Sequence, residues 1–195
     1  TVLDAYLHLE RYSDAVVFAQ TMGLPEVERL WLEERVRNPQ LVQLDGTTFV
    51  PFSADNFLST LMPAVEVELN GIPLVAHIDT GGRFITMAPA RAEELGIETR
   101  QAGMGVANNQ STTLRRGLVN TLVLGDAKLT NVPVTTVESL TGQLESLVIL
   151  GTRILSNFLT TWDNERERLI LTDRRNETAQ RRHRADYLGN AESTN

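Results

Sequence analysis

The sequence predicts a mainly β domain, a closed barrel or sandwich with only small helices, preceded by an α-helical hairpin. Three observations carry that expectation. The first forty residues follow a helical period with helix start and stop signals. From Gln40 onward the chain breaks into short apolar or alternating runs. Those runs are separated by turn pairs, Asp45-Gly46, Asn70-Gly71 and Gly125-Asp126, of the kind that close strands on each other.

The elements follow in order. TVLDAYLHLERY reads as helix, so the chain begins as a processed end or a cut boundary would. Ser13 is placed to cap a helix through DAVVFAQTM, with Gly23 as its stop. Pro25 suits the first turn of EVERLWLEERVR, which Asn38 and Pro39 end. The spacing of aromatic and small residues in AYLHLERYSDAVVFAQTMGLP faintly resembles a tetratricopeptide repeat, but one partial copy cannot build a solenoid. Residues 1–40 are therefore expected to be a helical prefix packed on the main domain. Residues 41–60 should form a hairpin, QLVQL and TTFVPF around Asp45-Gly46, followed by a linker in which 53–59 make a helical turn or loop. Residues 61–172 should be the main domain. It opens with AVEVEL, whose alternation marks a half-buried strand, and the nearly continuous apolar IPLVAHI. A short helix at PARAEEL follows, then NTLVL, KLTNV, PVTTV, LVIL and a last hairpin in TTWDNERERLILT. Residues 173–195 read as a solvated charged tail, crowded with Arg174, Arg175, Arg181, Arg182 and Arg184.

Composition excludes several classes of function. A net charge of −7 and a pI near 5.0 argue against a nucleic-acid surface, which needs clustered positive charge. No apolar run is long enough for a membrane span. The absence of cysteine removes disulfides and thiolate metal sites and suits either a reducing or an oxidising compartment. His8, His77 and His183 are far apart and no HExxH occurs, so no metal is expected; GxSxG and a Lys-Ser or Lys-Thr after a glycine-rich loop are also missing. No cofactor is implied.

One position stands out. Asp79 ends the apolar run and is followed by Thr80 and Gly81, although aspartate is a poor strand former and is seldom buried without partners. The bland reading is a turn aspartate accepting backbone hydrogen bonds. The sharper one is catalytic. HIDTG at 77–81, the helix at 89–97, the glycine-bearing QAGMGVANNQ at 101–110 and VILGTRILSNF at 148–158 resemble, in that order, the parts of the retropepsin-like (retroviral-type) aspartic proteases. The closing TTWDNERERLIL is similar to that of the bacterial members, for which cytoplasm and periplasm are both open.

The resemblance implies a retropepsin-like fold over roughly residues 61–172 and an aspartic endopeptidase. Such chemistry needs two carboxylates, one as base on a water and one as acid toward the substrate carbonyl. This chain has one Asp-Thr-Gly, so the resemblance implies a homodimer in which Asp79 of each copy meets on the two-fold axis, sharing a proton. Activity on an extended polypeptide at acidic to near-neutral pH follows. Thr80 would tie the two loops together across the dimer, and Gly81 would let its amide approach the carboxylates. Gly82 departs from the usual Ala or Ser of the family and adds backbone freedom beside the carboxylates. It motivates an alternative, a dimeric binding or assembly module with weak or no chemistry.

Strand parity puts His77 on the face of Asp79, either lining the substrate pocket or hydrogen-bonded at the core edge. Gly103, Met104 and Gly105 fit a mobile flap over the substrate or an ordinary surface loop, with Met104 as a substrate contact in the first case. Ile149, with Leu150 and Gly151, fits the strand that crosses beneath the catalytic loop.

Overall fold

The structure, a computed structural model, describes residues 1–54, 62–107 and 110–174. Three helices come first: α1 (Val2–His8), α2 (Tyr12–Thr21) and α3 (Glu26–Arg37). Ser13 lies inside α2 and Arg11 occupies the cap position, so the serine does not start the helix. An ion pair between Arg11 and Asp14 at 2.7 Å spans that first turn instead. Gly23 stops α2 in the left-handed conformation at φ +63°, and Pro25 caps α3. Ala15, Ala19, Trp31 and Leu32 are buried where the helices meet, and Phe84 of the following domain packs into the same cluster.

The β region comprises β1 (Leu41–Gln43), β2 (Thr47–Pro51), β3 (Ala64–Leu69), β4 (Ile72–Asp79) and β5 (Ile85–Met87), then α4 (Pro89–Glu94). The long hairpin β6 (Thr99–Ala107) and β7 (Gln110–Leu124) leads to β8 (Ala127–Val137), and a 3-10 turn at Gly142–Leu144 leads to β9 (Val148–Gly151). Helix α5 (Thr152–Leu155), β10 (Phe158–Asp163) and β11 (Arg168–Asp173) close the described chain. No helix among the described residues is long and apolar enough to cross a membrane.

Strands β8, β5, β9, β4, β3 and β7 are neighbours in that order, and β7 also pairs with β8, so the sheet returns on itself as a barrel. Closure leaves those strands without a free edge and encloses one core, in which Leu69, Ile85, Met87, Leu122, Leu129 and Leu150 are fully buried. A smaller sheet has the order β10, β11, β2. The fold is mainly β with small helices, as the sequence predicts.

One pairing differs from expectation. The residues around Asp45-Gly46 do not form a hairpin: Leu41–Gln43 pairs with β8, and Thr47–Pro51 pairs with β11. Gly46 makes the turn, at φ +80°, but its carbonyl accepts from Asp173. Burial decides the outcome. Leu44 and Val50, one on each side of the turn, both join the main core, but the strands flanking the turn pair with different partners, β8 and β11. The helical turn or loop expected at 53–59 and the charged tail fall largely outside the described residues. Arg174 is described and donates to the carbonyl of Phe158 at 2.9 Å.

Candidate active site

Strand β4 carries the apolar run Ile72–Ile78 through the barrel wall and releases the chain at Asp79. It lies between β3, antiparallel, and β9, parallel, with Asp79 opposite Gly151 and His77 opposite Ile149. Because β9 also pairs with β5, the chain leaves β4, loops through 80–84 and returns on the far side of β9. The loop thus straddles β9, and β9 continues directly into α5.

Backbone contacts hold that loop. The amide of Gly82 donates to the Asp79 carbonyl at 3.2 Å, and that of Gly151 to the Phe84 carbonyl at 3.0 Å. Both the amide and the hydroxyl of Thr152 donate to the Gly82 carbonyl at 2.9 Å, and the amide of Arg153 donates to the Arg83 carbonyl at 2.9 Å. Gly151 is obligatory here. A Cβ on it would lie 2.4 Å from the carbonyl carbon of Arg83, inside the backbone of the loop.

Asp79 is half-buried at the rim, with Thr80 and Gly81 exposed beside it. Its Oδ1 accepts from the Gly81 amide at 2.8 Å, which fixes the carboxylate's orientation. A Cβ on Gly81 would sit 3.2 Å from that same oxygen, so a side chain there would crowd the acid. Gly82 is different: its Cβ would meet nothing closer than 3.5 Å, leaving room for alanine.

The remaining candidates separate into two groups. His77 is buried at the core edge, and its ring bonds to the Val148 backbone. Burial lowers its pKa below the ordinary value of 6.5, and that hydrogen bond opposes the shift in part. Ile149 is half-buried beside it. Gly103, Met104 and Gly105 lie on the β6 arm of the β6–β7 pair; residues 108 and 109 lie outside the described residues. Gly103 sits at a bulge with φ +120°, Met104 is 65% exposed, and Gly105 makes room for Leu114 of the facing strand. These glycines therefore shape an arm of the hairpin rather than its tip.

Asp163 is held elsewhere, by Arg168 at 2.8 Å and Arg166 at 3.4 Å. The hydrogen bond from Arg168 leads the causes that keep its carboxyl below the usual range. No group of three or more acidic, histidine or cysteine side chains among the described residues could hold a metal ion.

Residues 65–154 match the family model for aspartyl protease. A retropepsin-like aspartic protease from Rickettsia conorii superimposes with a TM-score of 0.50 at 18% identity, covering 70% of this chain and 95% of that one. The fold of the domain is retropepsin-like. Two further similar structures are the EIAV protease in complex with the inhibitor HBY-793 (TM-score 0.39, 18% identity, 52% of this chain and 91% of that one) and the retroviral protease-like domain of Ddi1 from Leishmania major (0.39, 18%, 56% and 87%). Comparison with curated proteins gives no sequence match. At this identity the likeness is one of fold. The family match spans the retropepsin-like strand order from β3 through α5, while the helical prefix, β1, β2, β10 and β11 lie outside it.

Sequence reasoning singled out Asp79, Gly81 and Gly151 but missed Thr152 as the clamp on Gly82. The signal was present in Gly151-Thr152, a hydroxyl directly after the crossing strand. It also missed Arg83 and Phe84, and the cleft of about 860 Å³ that Gly81–Phe84 share with Leu7, Leu9 and Glu10 of the prefix region.

Proposed function

We propose that this protein is a homodimeric aspartic endopeptidase in which Asp79 of two copies activates one water. The observation that carries the reading is the Asp79 carboxylate, oriented by the Gly81 amide at 2.8 Å and left half-exposed at the barrel rim by a loop pinned to β9 and α5. A single carboxylate so placed is half of an acid–base pair. Exposed Thr80 and Gly81 leave space for the same loop of a second copy, and a two-fold axis there would bring the two acids together.

One carboxylate of the pair takes a proton from the water as its oxygen attacks the peptide carbonyl. The other, protonated, donates to the carbonyl oxygen. The tetrahedral intermediate then collapses as the amide nitrogen gains a proton and leaves, with no covalent intermediate. The substrate lies extended between the floor, β4 and β9, and the β6–β7 hairpin acting as flap, with Met104 on the substrate side. Gly103, Gly82 and Ile149 shape the cleft around it, and His77 packs buried beneath the floor.

Digestion of a diverse peptide mixture from acidic to neutral pH, read by mass spectrometry, tests the chemistry. Asp79→Asn keeps an acceptor for the Gly81 amide, so it should fold and dimerise, yet lose cleavage by at least about a hundredfold. An Asp79→Asn protein that still cleaves overturns the assignment. A monomer in sedimentation under conditions of full turnover overturns the shared site.

A second reading, a dimeric binding or assembly module, is favoured by one observation: Gly82 is not forced by space, so the flexibility it adds is unexplained by packing. Folded wild-type dimer that cleaves nothing across that pH range would select it.

A further inference from the structure

The helical prefix touches three parts of the barrel that a retropepsin-like site must hold in register. The ring of Trp31, on α3 and only 7% exposed, lies edge-on to Phe84 at the end of the active-site loop, with centroids 6.3 Å apart and planes at 61°. The guanidinium of Arg116 lies over the same indole, 4.6 Å from its centroid, and donates to Glu28 of α3 at 2.7 Å. Arg116 stands on β7 where that strand leaves β6 and joins β8: it faces Arg100 on one side and Thr135 on the other. Its neighbour Gly117 passes so close to Glu98 that a Cβ would lie 2.2 Å from that carbonyl oxygen. This is the root of the flap hairpin. The third contact is Arg153 of α5, beneath the loop, which donates to the carbonyl of Leu7 and lies 3.7 Å from Glu10.

We propose that the prefix is a brace and that Trp31 is a positioning residue, transmitting the state of the flap root to the loop that carries Asp79. This rests on the peptidase reading above. The physical case is that one rigid indole is shared by two elements that move differently: a loop pinned by backbone bonds and a hairpin free to open. Stacking of a half-buried guanidinium on tryptophan is attractive, and its hydrogen bond to the Glu28 carboxylate at 2.7 Å tethers it to α3. Opening the flap root drags Arg116 across the indole, against which Phe84 packs edge-on.

The experiment uses the full chain. Trp31 and Trp162 are the two tryptophans, so Trp162→Phe leaves Trp31 as the sole indole reporter. A peptide in which a hydroxymethylene group replaces the scissile amide is titrated in, with binding followed by calorimetry and Trp31 emission recorded in parallel. Emission should shift with the calorimetric isotherm. In the same protein Arg116→Gln should lower kcat by roughly tenfold while KM changes by less than about threefold, and Trp31→Phe, which keeps a stacking ring, should retain more kcat than Trp31→Ala. A merely structural brace would lower the melting temperature without moving emission or the kcat of folded enzyme, and that result overturns the proposal. If wild type binds and cleaves while Arg116→Gln and emission are unchanged, the brace alone falls. If wild type neither binds the isostere nor cleaves, the peptidase reading falls and the brace with it.

Discussion

The loop that carries Asp79 and the β6–β7 hairpin both carry glycines, yet in different settings. In the loop the glycines permit contact. Gly81 lets an amide reach Asp79, and Gly151 lets the crossing strand pass against Arg83. Four amides and one hydroxyl then tie residues 79–84 to each other and to β9 and α5. In the hairpin Gly103 sits beside a register shift at φ +120°, Gly105 makes room for the Leu114 side chain, and Met104 projects into solvent. Chemistry needs a carboxylate held within a fraction of an ångström, whereas a cover has to open. Under the proposed peptidase reading, the two regions would divide those demands.

Matched substitutions would test that division most severely. A Cβ at Gly151 would meet the backbone of Arg83 at 2.4 Å, and one at Gly105 would meet the side chain of Leu114 at 2.5 Å. The distances are nearly equal, but the obstacles are not. A leucine side chain can change rotamer, whereas the loop backbone can yield only by shifting Asp79. Gly151→Ala should therefore cost about 3 kcal/mol in denaturant unfolding and most of the activity, and Gly105→Ala about 1 kcal/mol or less. Equal losses in the two variants would show that the hairpin is as tightly built as the loop.

How much of this was legible in the sequence follows the same division. Asp79-Thr80-Gly81 at the end of an apolar strand and Ile149-Leu150-Gly151 some seventy residues later were readable because each is local: an apolar run, then a residue type that a packed strand would not choose. The left-handed turn at Gly46 was readable too, but not which strands it would join, because pairing depends on what the barrel leaves uncovered. Ser13 misled for a related reason. Capping chemistry is a local preference, and Arg11 with Asp14 supplied another way to start the helix. The bridge from Trp31 to Phe84 and Arg116 had no sequence signal. Its members are separated by about fifty and eighty-five residues and meet only through the tertiary fold.

A smaller effect concerns the floor beneath the loop. His77 lies two residues before Asp79, and burial lowers its pKa below 6.5. The folded protein therefore binds fewer protons than the unfolded chain between the lowered value and the ordinary one. Stability contributed by neutral His77 is complete above about pH 6.5 and is lost as pH falls through that window. His77→Gln cannot ionise and keeps a donor for the Val148 carbonyl. Its unfolding free energy should fall less steeply than that of wild type between pH 7 and pH 5. Parallel curves would mean that the imidazole is solvated in the native state, and with it the floor of the site.

The smallest effect is expected at Gly82, and it sharpens the comparison because this glycine sits in the pinned region without being needed there. Its Cβ would touch the Asp79 carbonyl and the Gly151 Cα at 3.5 Å and the other Asp79 carboxylate oxygen at 3.6 Å, all ordinary contact distances, and its backbone is not in the left-handed region. Gly82→Ala should therefore remove freedom from the unfolded chain with little strain in the folded one, raising stability by about 0.4–1 kcal/mol. The same stiffening should hold the carboxylate at least as well, so turnover should stay level or rise modestly. A gain in stability accompanied by lost turnover would show that the loop must flex during the reaction, and that the division between a rigid floor and a mobile cover is drawn in the wrong place.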